Sequence, residues 1–232
     1  MTRSAEDTER LAAVRAILFD LDGTLIDTVD CILSSMRHAT AEVLGEALPD
    51  SVLVRNMGVP LRAQMHEFSP EHAEELLAVY RAHNEIVHDD LVAEYPGIEA
   101  GLKALASAGY PLAIVTSKSR PVAMRGLSAF GLQGYFHDVI AYEDTDIHKP
   151  EPEPLLEAAR RLGVPIEECA YVGDSPHDMN AAIAAGAVPV AALWGPFRER
   201  VIEPGPVAAI ESLGELAVLL GQARSTSGRF AT

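Results

Sequence analysis

A chain of 232 residues, 48% of them hydrophobic, is long enough to bury one sizeable α/β core or a core with a small inserted domain. Its 34 Asp and Glu outnumber 18 Lys and Arg, and its three lysines (Lys103, Lys118 and Lys149) are scattered, which argues against nucleic acid or an anionic membrane surface as a partner. Any anionic substrate must be held against the field of the whole chain, by a local cation or a metal.

The first residues, MTRSAEDTERLAAV, are acidic where a secretory leader needs an apolar stretch, and no apolar run reaches membrane-spanning length. Cys31 and Cys169 lie outside any CxxC pattern. The expectation is a cytoplasmic protein with two reduced, packed thiols. Residues 16–20, AILFD, read as a buried strand that ends on one carboxylate, with a second at Asp22.

Residues 28–91 then show helical apolar spacing and no convincing strand, as in DCILSSMRHATAEVLG and SPEHAEELLAVYRAHNEIV. In the second stretch Ser69 is placed to cap a helix, with Pro70 at its first position. Five of the eight histidines fall here (His38, His66, His72, His83 and His88), but none forms an HxxxH pair, so they read as surface or packing residues. Beyond this interval the apolar runs 112–116, 138–142, 170–174 and 188–193 alternate with amphipathic helical segments. That alternation predicts an α/β fold, a doubly wound parallel sheet whose site lies beyond the carboxyl ends of the strands. The expected division is a core of residues 1–27 and 92–223, a helical insertion at 28–91 and a flexible tail at 224–232.

Four elements bring chemistry to those strand ends. Asp20 and Asp22, if extended, have Cα atoms about 6–7 Å apart on one side, and a turn at Gly23 allows the close backbone approach a phosphate needs. Thr116 ends its strand just before a helix that Ser119 or Arg120 caps and Pro121 opens, where free amides attract anions. Lys149 precedes Pro150, which disfavours helix and holds its backbone extended. Asp174 and Asp178 stand one helical turn apart around Ser175 and Pro176, an arrangement that suits a hard divalent cation with oxygen ligands. Taken singly, each has a bland reading as a turn, a helix start or a solvated charge; together they do not.

In their order and content, FDLDGTL (19–25), IVTSK (114–118), KPEPEP (149–154) and VGDSPHD (172–178) resemble the haloacid dehalogenase-like hydrolase superfamily, in its aspartate-nucleophile phosphatase branch. The resemblance implies a Rossmann-like core with residues 28–91 as its smaller, all-helical cap. It implies Asp20 as nucleophile and Asp22 as general acid/base; the neighbouring Asp20 and burial under the cap are expected to raise the pKa of Asp22. Thr116 and Lys149 would hold and neutralise the transferring phosphoryl group. Mg²⁺ would be bound by Asp20, the main-chain carbonyl of Asp22 and Asp174, with Asp178 either a further ligand or a group behind them.

The overall pattern is similar to the phosphoglycolate phosphatase and bacterial pyrophosphatase group, which implies a small anionic phosphorylated substrate. Gly23, Thr24, Ser117 and Lys118 are its expected contacts on the core. MGVPLRAQM (57–65) stands where this group places a cap substrate loop, with Arg62 or Arg55 to meet a second anionic group and Arg120 a further candidate beside Lys118. The same four elements serve phosphosugar mutases of the β-phosphoglucomutase type. Dehalogenation lacks a use for Asp22, the Schiff-base chemistry of phosphonoacetaldehyde hydrolysis lacks a cap lysine, and a receiver-like signalling domain lacks the cap and the GDxxxD element. No motif specifies an oligomeric state.

Overall fold

The computed structural model describes residues 4–55 and 57–227. In chain order the elements are α1 (Ala5–Ala13), β1 (Ala16–Phe19), β2 (Ile26–Asp27), α2 (Val29–Leu44), α3 (Asp50–Leu53), α4 (Leu61–Phe68), α5 (Ala73–Leu91), β3 (Ala93–Glu94) and α6 (Ile98–Ser107). They continue with β4 (Leu112–Val115), α7 (Arg120–Ala129), β5 (Asp138–Ile140), α8 (Glu153–Leu162), β6 (Cys169–Gly173), α9 (Pro176–Ala185), β7 (Val188–Ala192), β8 (Ala208–Ile210) and α10 (Leu213–Ser227). Among the described residues no helix is long and apolar enough to cross a membrane, and both cysteines are free and buried.

Six strands form one parallel sheet in the order β5-β4-β1-β6-β7-β8, the doubly wound architecture expected from the alternation. Successive side chains of β1 point to opposite faces. Ile17 and Phe19 join a core with Leu102 of α6, Leu127 of α7 and Leu216 of α10, while Ala16 and Leu18 join Leu155 of α8 and Ala181 of α9. A strand buried on both sides needs the near-continuous apolar run that AILF provides. β1 sits between β4 and β6, so the strand order reverses beside it and a crevice opens at its carboxyl end.

Between β1 and α6 the described residues build four helices around a core of their own, with Leu33, Met36, Leu53, Met65, Leu76 and Tyr80. This insertion leaves and rejoins the sheet domain side by side, because β2 and β3 pair antiparallel through Ile26↔Glu94 and Asp27↔Ala93. It is also tied to α7, whose Arg125 Nε donates to Asp89 Oδ1 on α5 at 2.9 Å.

Several local expectations change. The helix expected to start at Ser69 and Pro70 starts at Ala73, because the Ser69 N–H closes α4 on Met65 O and its hydroxyl bonds His72 Nδ1. The tail expected from residue 224 is still helical through Ser227. Arg224 Nη2 donates to Val14 O at 2.8 Å, and its guanidinium lies 4.6 Å from the Tyr110 ring centroid. The rest of that tail, 228–232, lies outside the described residues. Neither α1 nor β8 is anticipated by periodicity: α1 is held by a capping box between Ser4 and Asp7, and β8 is a three-residue edge strand after a Pro/Gly-rich turn.

Candidate active site

All four motifs meet at the carboxyl edge of the sheet. Asp20 is the first residue past β1, and its N–H still donates to Val172 O of β6 at 2.9 Å. Thr116 stands one residue past β4 in the same way, its N–H on Ile140 O at 2.9 Å. Asp174 follows β6. Asp178 is fixed in the first turn of α9 by a reciprocal cap: Ser175 Oγ accepts from the Asp178 N–H, and Asp178 Oδ2 accepts from Ser175 N–H (3.1 Å) and Oγ (2.6 Å).

Lys149 lies in the turn closed by the Glu151 N–H on His148 O, and its bond to Pro150 is cis. Its side chain is 2% exposed, so each of its three protons needs an acceptor. Nζ donates to Asp20 Oδ1 (2.6 Å), Asp178 Oδ1 (2.7 Å) and Tyr171 Oη (2.9 Å). Tyr171 Oη lies 3.1 Å from both Val115 O and Asp178 Oδ1. Tyr171 is a residue that motif reasoning passes over; its signal is a tyrosine within an otherwise apolar central strand, whose hydroxyl must find a partner when buried. Tyr171→Phe removes that acceptor from Lys149 and should cost about 1–3 kcal/mol. The measurement is a urea titration, in which the midpoint falls at unchanged slope; an unmoved midpoint would deny the hydroxyl this role.

Carboxylate oxygens of Asp20, Asp174 and Asp178 lie within 4.8 Å of one another, all buried. Burial pushes the Asp20 carboxyl up to about 7, although Lys149 pulls the other way. Burial, then repulsion from Asp178 and Asp20, pushes Asp174 well above the usual carboxylate range. Burial opposes the charge of Asp178 too, but Lys149 and the Ser175 donors outweigh it and hold that carboxyl below its ordinary value. Burial disfavours the Lys149 ammonium, yet Asp178 and Asp20 raise its pKa well above that of a free lysine. With all three ionised, one ammonium would leave two negative charges unbalanced, and the raised Asp20 and Asp174 carboxyls express that imbalance. A hard divalent cation with oxygen ligands balances that charge and matches the donor set.

Asp22 differs from the expectation of a buried acid beside Asp20. Its side chain is 21% exposed and ion-paired with Lys118 Nζ at 2.6 Å, and the same Oδ1 accepts from Thr28 Oγ1 at 2.6 Å. Its Oδ2 meets no protein donor among the described residues. Gly23 turns the chain with φ +82°, and a Cβ there would sit 2.6 Å from Asp174 Oδ2, so no other residue fits. Gly23→Ala should therefore displace Asp174 and abolish any divalent-ion stabilisation seen by thermal melting.

Above these groups lies a cavity of about 380 Å³. Asp20, Asp22, Gly23, Ser117, Lys118, Arg62 and Asp174 line it, while Thr24, Thr116, Lys149 and Asp178 are buried outside its lining. Besides Lys118, held by Asp22, three expected substrate contacts have other partners. Thr24 Oγ1 donates to Asp174 Oδ1 at 3.1 Å and so orients that carboxylate. Ser117 Oγ donates to Gly58 O at 2.8 Å, fastening the insertion's loop to the sheet domain. Arg62 is ion-paired with Glu74, both exposed. Arg120 bonds Asp144 Oδ2 and Val139 O, and neither it nor Arg55 lines the cavity. Trp194 packs on the core and donates Nε1–H to Thr24 O at 2.9 Å.

The six-stranded sheet thus carries an acid–lysine–acid cluster at its carboxyl edge. The family model for haloacid dehalogenase-like hydrolase matches residues 17–192. The pyrophosphatase PpaX of Halalkalibacterium halodurans is 38% identical over 211 residues, 90% of this chain and 97% of its own. PpaX of Bacillus velezensis is 38% identical over 181 residues, 78% of this chain and 84% of its own. Among solved structures, a Lactobacillus plantarum protein whose assignment as a phosphoglycolate phosphatase is provisional superposes with a TM-score of 0.81 at 25% identity, covering 89% of this chain and 99% of that one. The chain belongs to the haloacid dehalogenase-like hydrolase family and is an enzyme of its phosphatase kind.

Proposed function

We propose that the chain is a Mg²⁺-dependent phosphohydrolase that transfers the phosphoryl group of a small metabolite to Asp20 and then to water. The observation that carries this reading is the Lys149 ammonium, buried and bonded to both Asp20 and Asp178 beside the carboxylate of Asp174. Asp20 and Asp174 would hold the ion, with the main-chain carbonyl of Asp22 as the family resemblance implies. Asp178 already accepts from Lys149 and Ser175, so it serves by positioning them. When bound, the cation supplies charge neutralisation between the carboxylates and the incoming phosphoryl oxygens.

In the first step an Asp20 carboxylate oxygen forms a bond to phosphorus, and the bond from phosphorus to the leaving oxygen breaks. Asp22 passes a proton to that oxygen. The Lys118 and Thr28 donors on its Oδ1 steady the carboxylate formed and leave Oδ2 to take a proton back. In the second step water attacks phosphorus, yields that proton to Asp22, and the bond to Asp20 breaks. Lys149 offsets charge on Asp20 and the phosphoryl group; a pair at about 4 Å is worth roughly 4 kcal/mol at an effective dielectric of 20. Thr116, whose Oγ1 accepts from the Lys118 N–H, keeps its own proton for a phosphoryl oxygen. The helical insertion serves as a cap over the site, and two buried free thiols suit a reducing cytoplasm.

The relatives' names bring pyrophosphate and phosphoglycolate into the substrate range. Phosphate release should vanish with chelator and return with Mg²⁺. Independently of activity, Mg²⁺ should raise the melting temperature of the wild type through linkage but not that of Asp174→Asn. Acid quenching during turnover, followed by mass spectrometry, should find a phosphoryl group on the peptide carrying Asp20. Chelator-resistant release, or a phosphoryl group elsewhere, would overturn the reading.

A further inference from the structure

The cavity wall contributed by the insertion carries a second kind of information. Val29, Ile32 and Met36 of α2, with Met57, Val59 and Leu61 around the loop before α4, turn apolar side chains toward the space above Asp20. Two amides share this wall, but their donors are used within the insertion. Gln64 Nε2 donates to Val59 O at 2.8 Å, and Asn84 Nδ2 lies on Cys31 Sγ and Ser35 Oγ. Among the described residues the donors left there are the Tyr80 hydroxyl, the second Gln64 Nε2 proton and the main-chain N–H groups of Gly58, Val59, Leu61 and Arg62, neutral groups that carry no counter-charge for a dianion.

Cations in this wall stand at its exposed mouth. Arg62 is tied to Glu74, which leaves Arg81, with Glu85 one turn further along α5 also lining the cavity. A second phosphoryl group in the interior would lie largely against methyl and thioether groups, with neutral amides but no cation of this wall beside it, a costly burial. At about 380 Å³ the space is also of the size that encloses organic ligands, ~300–1,000 Å³.

We propose that the substrate is an organic phosphate monoester whose alcohol carries an apolar alkyl or aryl body, seated against α2 and the loop before α4, rather than a compact polyanion such as pyrophosphate. This substrate class rests on the phosphohydrolase reading above. Pyrophosphate and phosphoglycolate, which carry anionic groups at both ends, are the competing chemistries, and Arg81 at the mouth is the group that would serve them.

The experiment is a kinetic series of ethyl, butyl and hexyl phosphate at saturating Mg²⁺, beside pyrophosphate and phosphoglycolate. Leaving-group chemistry is nearly constant along the alkyl series, so its slope reports burial. The specificity constant kcat/KM should climb about fourfold per methylene, carried by KM, with hexyl phosphate above both doubly anionic compounds. Ile32→Asn should flatten the slope within its own series. A flat wild-type series, a maximum at pyrophosphate or phosphoglycolate, or a slope that Ile32→Asn leaves intact overturns the substrate class. In those cases release that depends on Asp20 leaves the phosphohydrolase reading standing. No release from any compound, or equal release by Asp20→Asn, overturns that reading itself.

Discussion

Asp20→Asn is expected to lower phosphate release by on the order of 10⁴-fold or more without loss of the fold. The carboxamide cannot form the covalent bond to phosphorus, and the rest of the described site has no second nucleophile aimed at the same point. Stability should move the other way in chelator. The wild-type carboxylate is buried, and burial pushes its carboxyl up to about 7. Removing that charge relieves repulsion with Asp174 and Asp178, and the carboxamide oxygen of the variant still accepts from Lys149, which keeps Asp178 as its charged partner. The melting temperature of Asp20→Asn in chelator should therefore equal or exceed that of the wild type, and its gain on adding Mg²⁺ should be smaller. A variant that hydrolyses at the wild-type rate would remove Asp20 from the chemistry. A variant that melts far below the wild type in chelator would mean that the Lys149 contact stabilises more than burial costs.

How far the site is legible from sequence depends on where its partners lie. Asp20, Asp22, Thr116, Asp174 and Asp178 fall in short contiguous motifs at strand ends, and a parallel sheet gathers its strand ends at one edge, so their convergence follows from topology, whereas Lys149 reaches them from the loop between β5 and α8. The capping of α9 by Ser175 is legible for the same reason, being local. Contacts that cross the fold are not. Thr24 reads as a phosphate contact beside Gly23, but its proton goes to Asp174, 150 positions away. Ser117 reads as part of a phosphate loop, but it reaches Gly58 of the insertion. Asp22 looks destined for burial beside Asp20, and only the return of Lys118 from the end of β4 shows it as an ion pair. Short elements such as β8 are equally silent, because three residues carry no period.

Lys149→Met should unfold the site from the inside. Asp20 Oδ1 and Asp178 Oδ1 each lose the ammonium they share, and Tyr171 loses a donor, with Asp178 buried away from the cavity and Asp20 only at its floor. Breaking a buried ion pair by deleting one member costs about 3–5 kcal/mol. For a chain of this length that is a fall of roughly 6–20 °C in melting temperature at about 2–4 °C per kcal/mol. Catalysis should fall further, since the phosphoryl group would meet Asp20 without the adjacent positive charge. Lys149→Met/Asp178→Asn separates charge from shape. If Asp178 exists mainly to balance Lys149, the double variant should melt above Lys149→Met, because it removes the stranded carboxylate while keeping an acceptor for Ser175. Mg²⁺ should also restore more of the lost stability to Lys149→Met than it adds to the wild type, by neutralising carboxylates that the lysine no longer serves. Additive losses in the double variant would show that the two residues act independently, and would return Asp178 from positioning residue to direct metal ligand.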